Sequence, residues 1–254
     1  MDSFFQSLFY NLGFFTQLLR GIGSFIRRGQ AANKILIMQI LFTFVEALGI
    51  ASLLAIGIGA AVNIIGIPFL ASLSQERLIY SLLITIITRE LGPLLVAFII
   101  IARSATAIAT EVAGMVISHE VEAYISIGVD PIEYLAVPRF LGVTISLFML
   151  NIFFNIFGLA GSYAVTQFFT PLPASVYFAN LLANLTLPDL LISIIKSIGC
   201  GMIISTVAIA RGFAVERAST EIPVAGLKSV GTAFGLCIIL NILLSAFYYM
   251  VAGF

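Results

Sequence analysis

Three long stretches of this chain, residues 47–75, 140–188 and 229–254, carry no charged side chain at all. A soluble fold has no place for them. A domain of 254 residues still leaves a quarter or more of its surface in water, and here 61% of residues are hydrophobic and 9% charged. Lipid must be the solvent for much of the chain. Without water to satisfy backbone N–H and C=O groups, uninterrupted apolar runs span as helices of about 20 residues. Other stretches are nearly as clean: residues 35–62 contain only Glu46, 78–102 only Arg89 and Glu90, and 190–210 only Lys196. Pro171, Pro173 and Pro188 break the longest run. The reading is an all-α integral membrane protein with five spans, near 36–62, 78–102, 140–166, 189–210 and 229–251.

Lys and Arg in the connections set the orientation. Arg20, Arg27, Arg28, Lys34, Arg103, Arg139, Arg211, Arg217 and Lys228 all fall on one side, and Arg77 alone on the other. The N-terminus is expected in the cytoplasm and the C-terminus across the membrane. Residues 3–28 are not a span. Phe4, Phe5, Leu8, Leu12, Phe15, Leu19, Ile22 and Ile26 recur at three- and four-residue steps, while Asn11, Gln17 and Arg20 interrupt the rest. That pattern predicts an interfacial amphipathic helix, so the chain divides into an N-terminal segment, 1–34, and a five-span domain, 35–254.

Small residues at helix-packing spacing recur in the spans: Ala55 and Gly59, Gly201 and Ser205, Gly231 and Gly235. Asn151 and Asn155 stand one turn apart and can hydrogen-bond across helices. The longest cytoplasmic connection, 103–139, is expected to hold two short helices. Ser118 would cap the first and Gly128 end it; Asp130-Pro131-Ile132-Glu133 would start the second and Pro138 end it. Their acids, Glu120, Glu122, Asp130 and Glu133, leave two readings, a docking surface or a solvated loop.

Several function classes are excluded. No phosphate loop of the form GxxxxGK[ST] occurs. His119-Glu120-Val121-Glu122-Ala123 starts like a zinc-protease motif, but Ala123 stands where the second histidine must be, and His119 is the chain's one histidine. The aspartates, Asp2, Asp130 and Asp189, lie outside the span centres. Cys200 and Cys237 sit in apolar runs and imply no disulfide framework. A formal net charge of zero leaves no field to attract nucleic acid.

What remains is charge inside the bilayer, where an ionised side chain costs at least ~2.5–3.5 kcal/mol and so faces a cavity or a partner. Arg89 and Glu90 lie about eleven residues into the second span and are followed by Leu91-Gly92-Pro93, which predicts a kink beside them. Neighbours in sequence point about 100° apart on a helix, so each needs its own partner, with Glu46 and Lys196 the available charges. Two readings stand: an ion-pair network that fixes helix register, or a polar spot lining a kinked cavity. A third, an ion-coupled secondary transporter with Glu46, Glu90 and Lys196 as a proton relay, would call for inverted repeats.

Arg89-Glu90-Leu91-Gly92-Pro93, Arg103, Ala107-Ile108-Ala109, Glu111, Met115, Gly128-Val129-Asp130-Pro131, Tyr134-Leu135 and Pro138-Arg139 together resemble the MlaE/YrbE family of permeases. The chain departs from the family's usual glycines at Ala105 and Ala113. The resemblance implies a permease subunit of an ABC transporter that moves phospholipid between membranes. It implies a homodimer driven by separate ATPase subunits, which carry the ATP and Mg, and an MCE-domain partner on the far side. It also implies that Arg89, Glu90 and Leu91 border a lipid pocket, to which the charge argument adds Lys196 and Glu46. Glu111, Glu120, Glu122, Asp130 and Glu133 would belong to the element that couples to the ATPase. No cofactor is expected in the chain itself.

Overall fold

The structure, a computed structural model, describes the backbone of residues 2–27, 30–75, 78–168, 173–216 and 218–252, with side chains for 11, 13–23, 25 and, within those segments, 34–251. Arg28, Arg77, Pro171 and Arg217 lie outside the described residues, as do the side chains of Phe4, Phe5, Leu8, Leu12, Ile26 and Arg27. The elements are α1 (Asp2–Arg27), α2 (Gln30–Ser72), α3 (Leu78–Ile117), α4 (Glu120–Ser126), α5 (Ile132–Thr166), α6 (Ala174–Asn184), α7 (Leu187–Phe213) and α8 (Glu221–Ala252). No strand occurs among the described residues. Five of the helices, α2, α3, α5, α7 and α8, are long and apolar enough to cross a membrane. The chain is an all-α, multi-pass membrane protein.

The spans are longer than the charge map predicts. At 40 residues, α3 is ~60 Å long against a hydrocarbon core of ~30 Å. The segment expected to be a loop from 103 is helix as far as Ile117. Burial is the reason: Ile108, Ala109, Val112 and Ala113 pack into the core, and a Cβ on Gly212 of α7 would come within 2.6 Å of Val112 Cβ. Tertiary packing carries the helix past its polar residues.

The helix ends also differ. Ser118 does not cap α4; its hydroxyl donates to the Met115 carbonyl at 3.4 Å and to Glu120 Oε1 at 3.1 Å. His119 takes the cap position in a left-handed conformation (φ 61°), its Nδ1 2.8 Å from Glu122 Oε2. Gly128 (φ 77°) ends α4 as expected, at an angle that a side chain rarely adopts. Asp130 Oδ1 accepts the Ile132 N–H at 2.9 Å, the expected cap. Pro138 ends nothing. It sits in the first turn of the regular helix Val137–Thr166, where a missing N–H is harmless, so the expected second short helix is the opening of α5.

Seams of small residues hold the bundle. Along α2 and α5, a Cβ on Gly59 would lie 2.4 Å from the Gly158 carbonyl, and between α5 and α7 a Cβ on Gly201 would lie 2.8 Å from Thr144 Cα. Asn151 Nδ2 donates to Ser193 Oγ across to α7 at 2.9 Å, whereas Asn155 bonds back to its own helix. Gly231 and Gly235 differ: nothing lies within 4 Å of a Cβ at either. Helix α1 packs against the bundle through Phe14, Leu18 and Phe25, with ring contacts from Phe14 to Phe213 and from Phe15 to Phe140 at 6.0 Å. Asn11, expected on the polar face, is buried.

Candidate functional site

Proline starts the site. Pro93 has no N–H for the carbonyl four residues earlier, and the preceding stretch, Ile84–Leu91, relaxes into a wider π-helical turn closed by the Gly92 N–H on the Ile87 carbonyl. A Cβ on Gly92 would fall 2.3 Å from that carbonyl, so glycine is required at this close approach. The group left in need is the Arg89 carbonyl. Lys196 of α7 serves it, donating from Nζ at 2.8 Å. The same ammonium donates to Glu90 Oε2 at 2.9 Å and to Ser245 Oγ at 2.7 Å, and the Ser245 hydroxyl donates to Glu90 Oε2 at 2.8 Å. All three of its protons are placed.

Arg89 turns the other way, as the 100° step requires. Its Nη1 lies 3.3 Å from Asp189 Oδ1, its Nη2 donates to the Tyr249 hydroxyl, and the guanidinium sits 4.6 Å and 4.8 Å from the ring centroids of Tyr248 and Tyr249. Asp189 is itself held. Its Oδ2 accepts from the Thr186 N–H at 3.1 Å and hydroxyl at 2.6 Å, closing the N-terminus of α7, while Oδ1 accepts from the Tyr248 hydroxyl at 3.1 Å.

Two cations and two anions thus form a neutral cluster joining α3, α7 and α8. Burial grades it: the side chains of Lys196, Asp189, Arg89 and Glu90 are 1%, 6%, 14% and 31% exposed. Lys196 is locked inside, and Glu90 is the charge that reaches a surface of the chain. Leu91, half-buried, closes the π-helical turn beside it. A neutral cluster of this kind, in which Arg89 Nε is the one buried charged-group atom without a partner, can persist in a low-dielectric interior and present one carboxylate outward.

The structure brings Arg89, Glu90, Leu91 and Lys196 together and leaves Glu46 out. Glu46 pairs with Arg103, bridging α2 and α3. Glu111 is also elsewhere: it accepts from Arg139 Nη2 at 2.6 Å, and Arg139 Nη1 donates to the Leu135 carbonyl at 2.8 Å, which ties α3 to α5. Glu120, Glu122 and Asp130 are exposed on and beside α4, and Glu133 is half-buried at the start of α5. Sequence reasoning missed Asp189, Ser245, Tyr248 and Tyr249. A signal existed for Asp189, since Thr186-x-x-Asp189 has capping-box spacing. It also missed Ile125 and Ile127, which stand 60% and 72% exposed among the acids of α4.

A multi-span bundle whose charges are gathered at a break in one span defines the class: a membrane protein of the transport type. The profile of the family described as Permease MlaE matches residues 36–247. The chain belongs to the MlaE permease family. It is 26% identical over 218 residues to a probable ABC transporter permease protein of Rickettsia prowazekii, covering 86% of this chain and 84% of the relative. A probable ABC transporter permease protein of Synechocystis is 26% identical over 197 residues, 74% of each chain. The chloroplastic protein TRIGALACTOSYLDIACYLGLYCEROL 1 of Arabidopsis thaliana is 24% identical over 243 residues, 92% of this chain and 69% of the relative.

Proposed function

We propose that this permease is the membrane subunit of an ATP-driven phospholipid transporter, in which Glu90 and Arg89 border the lipid path. The observation that carries the reading is the graded cluster: three charges are withdrawn behind helices and the carboxylate of Glu90 is left part-exposed at the π-helical turn of α3. Acyl chains would occupy apolar space beside it, with the charges near the headgroup or holding the gate. Relatives named as ABC transporter permeases support coupling to ATPase subunits, which would bind the ATP and Mg. The name of the Arabidopsis relative, a galactolipid's, supports a lipid cargo.

Docking of the ATPase falls to the segment 118–131. Ile125 and Ile127 present apolar surface between Glu120, Glu122 and Asp130 on a part of the chain that leaves the bundle, and Glu133 adjoins it. Homodimer assembly falls to α8, whose Gly231 and Gly235 have open space beside them. The distribution of basic residues supports α1 and α4 on the cytoplasmic side and the C-terminus on the other; the membrane would be a bacterial inner membrane, with an MCE-domain partner on the periplasmic side. The proton-relay reading loses ground because Glu46, its third member, is engaged by Arg103.

The test is lipid transfer by the complex reconstituted in proteoliposomes with fluorescent phospholipid. Glu90→Lys is expected to abolish transfer with the subunits still assembled. Transfer at the wild-type rate would refute the role of Glu90.

A further inference from the structure

The ionic cluster is closed on the inside and open at one atom. Glu90 accepts from Lys196 Nζ and from the Ser245 hydroxyl through the same oxygen, Oε2. Oε1 accepts nothing from the described residues, and it is not sealed off, for the side chain is 31% exposed. The cations offer no such opening. Lys196 is 1% exposed, with its three protons placed. Arg89 is held by Asp189 and Tyr249 against the rings of Tyr248 and Tyr249, and its Nε is buried. What the cluster shows to a ligand is a single anionic oxygen.

Three kinds of cation could meet it. A proton would leave two cations against one anion, an uncompensated charge in a low-dielectric site. A divalent metal ion takes about six oxygens, and Ser245 Oγ, the other oxygen at this carboxylate, is already engaged as acceptor and donor. An ammonium needs only one charge-assisted N–H···O contact. When that ammonium belongs to a zwitterionic headgroup, its phosphate travels with it and the net charge of the site stays at zero. An anionic headgroup would instead bring a negative charge up to an open carboxylate, and like charges repel. Exposed Ile242 stands three residues before Ser245 on α8, so an apolar wall for acyl chains begins one turn from the carboxylate.

We infer that Glu90 Oε1 selects lipids whose headgroup ends in a primary ammonium, of the phosphatidylethanolamine type, over anionic ones. This rests on the reading that Glu90 borders the lipid path, and it names the headgroup that the path admits. A quaternary ammonium has no N–H to donate and binds less well than a primary one.

The experiment is photolabelling of the full chain in nanodiscs. The probe lipids carry one diazirine near the glycerol end of an acyl chain and differ only in headgroup: ethanolamine, choline or glycerol. Labelled positions are mapped by mass spectrometry, with Leu53 and Ile65, exposed on α2, reporting contact with bulk lipid. At Leu91 and Ile242, measured against those two, the ethanolamine lipid is expected to label about tenfold above the glycerol lipid, the ratio that one hydrogen bond to a charged group supplies. The choline lipid should fall between. Glu90→Gln, which keeps the shape and removes the charge, should bring all three level, and Glu90→Asp should keep their order. Equal labelling by the ethanolamine and glycerol lipids on the wild type would overturn the inference. So would a preference that survives Glu90→Gln. In both cases Leu91 and Ile242 still take label, and the lipid path stands. Labelling there no higher than at Leu53 and Ile65 with every headgroup would remove the lipid path as well.

Discussion

The two ends of α3 handle charge in opposite ways. Near its start, Arg89 and Glu90 belong to a four-charge cluster that is mostly withdrawn from the surface. Toward its end, Arg103 and Glu111 each make one pair, to Glu46 and Arg139, and in the first pair both side chains are a third or more exposed. Position in the bilayer accounts for the contrast. About 20 residues from Leu78 exhaust the hydrocarbon, so Arg89 lies within it and Arg103 beyond it. In hydrocarbon a charge must find partners within the protein for most of its hydrogen bonds, and the break at Pro93 adds a backbone carbonyl to the demand. Outside it, one partner and water suffice.

Lys196→Met attacks the contrast where it is greatest. It leaves the Glu90 carboxylate with Ser245 alone and the Arg89 carbonyl without its donor, and a loss of about 3 kcal/mol is expected. A large fall in the detergent thermal-unfolding midpoint is the readout. Adding Glu90→Gln removes the stranded charge and should restore much of that stability while transport stays lost; a double mutant no more stable than Lys196→Met would show that the two residues do not act as a pair. Asp189→Ala comes next, at about 2–3 kcal/mol, because it loses the cap of α7 and the partner of a partly buried arginine at once. Glu111→Gln is expected to cost about 1–2 kcal/mol, since Arg139 is buried but keeps the Leu135 carbonyl. Glu46→Gln should be the mildest, under about 1 kcal/mol, as for any pair with both members open. An effect of Glu46→Gln equal to that of Lys196→Met would erase the distinction between the two ends. Ile125→Asp with Ile127→Asp sharpens it from another side: unfolding should not move, and co-purification of ATPase should be lost.

How much could be read in advance differs residue by residue. The five spans follow from charge-free length. The partnership of Glu90 with Lys196 follows from there being few charges to choose among. Asp189 was hidden because an acid at a span's edge reads as a solvated helix start, and its hold on Arg89 bridges 100 positions of chain. Ser245, Tyr248 and Tyr249 were hidden in a stretch with no charge at all; nothing local marks a tyrosine whose hydroxyl will meet an arginine 160 residues away. Glu46 was misassigned for the converse reason. It is an intramembrane charge by its own sequence context, and only the pairing of α2 with α3 gives it to Arg103. The helical continuation to Ile117 was missed because Arg103 and Glu111 look like loop residues until the burial of Ile108, Val112 and Ala113 is seen.

By itself the sequence determined the solvent, the element type and the place of the weak point. Long runs without charge require lipid, lipid requires internally bonded helices, and Arg89-Glu90 before Gly92-Pro93 puts unmet polar groups inside one of them. Tertiary structure alone decided which groups meet those needs. Partner choice depends on helix rotation and depth, both set by small-residue seams such as Gly59 against Gly158, and a fraction of an ångström there moves a side chain into or out of hydrogen-bonding range.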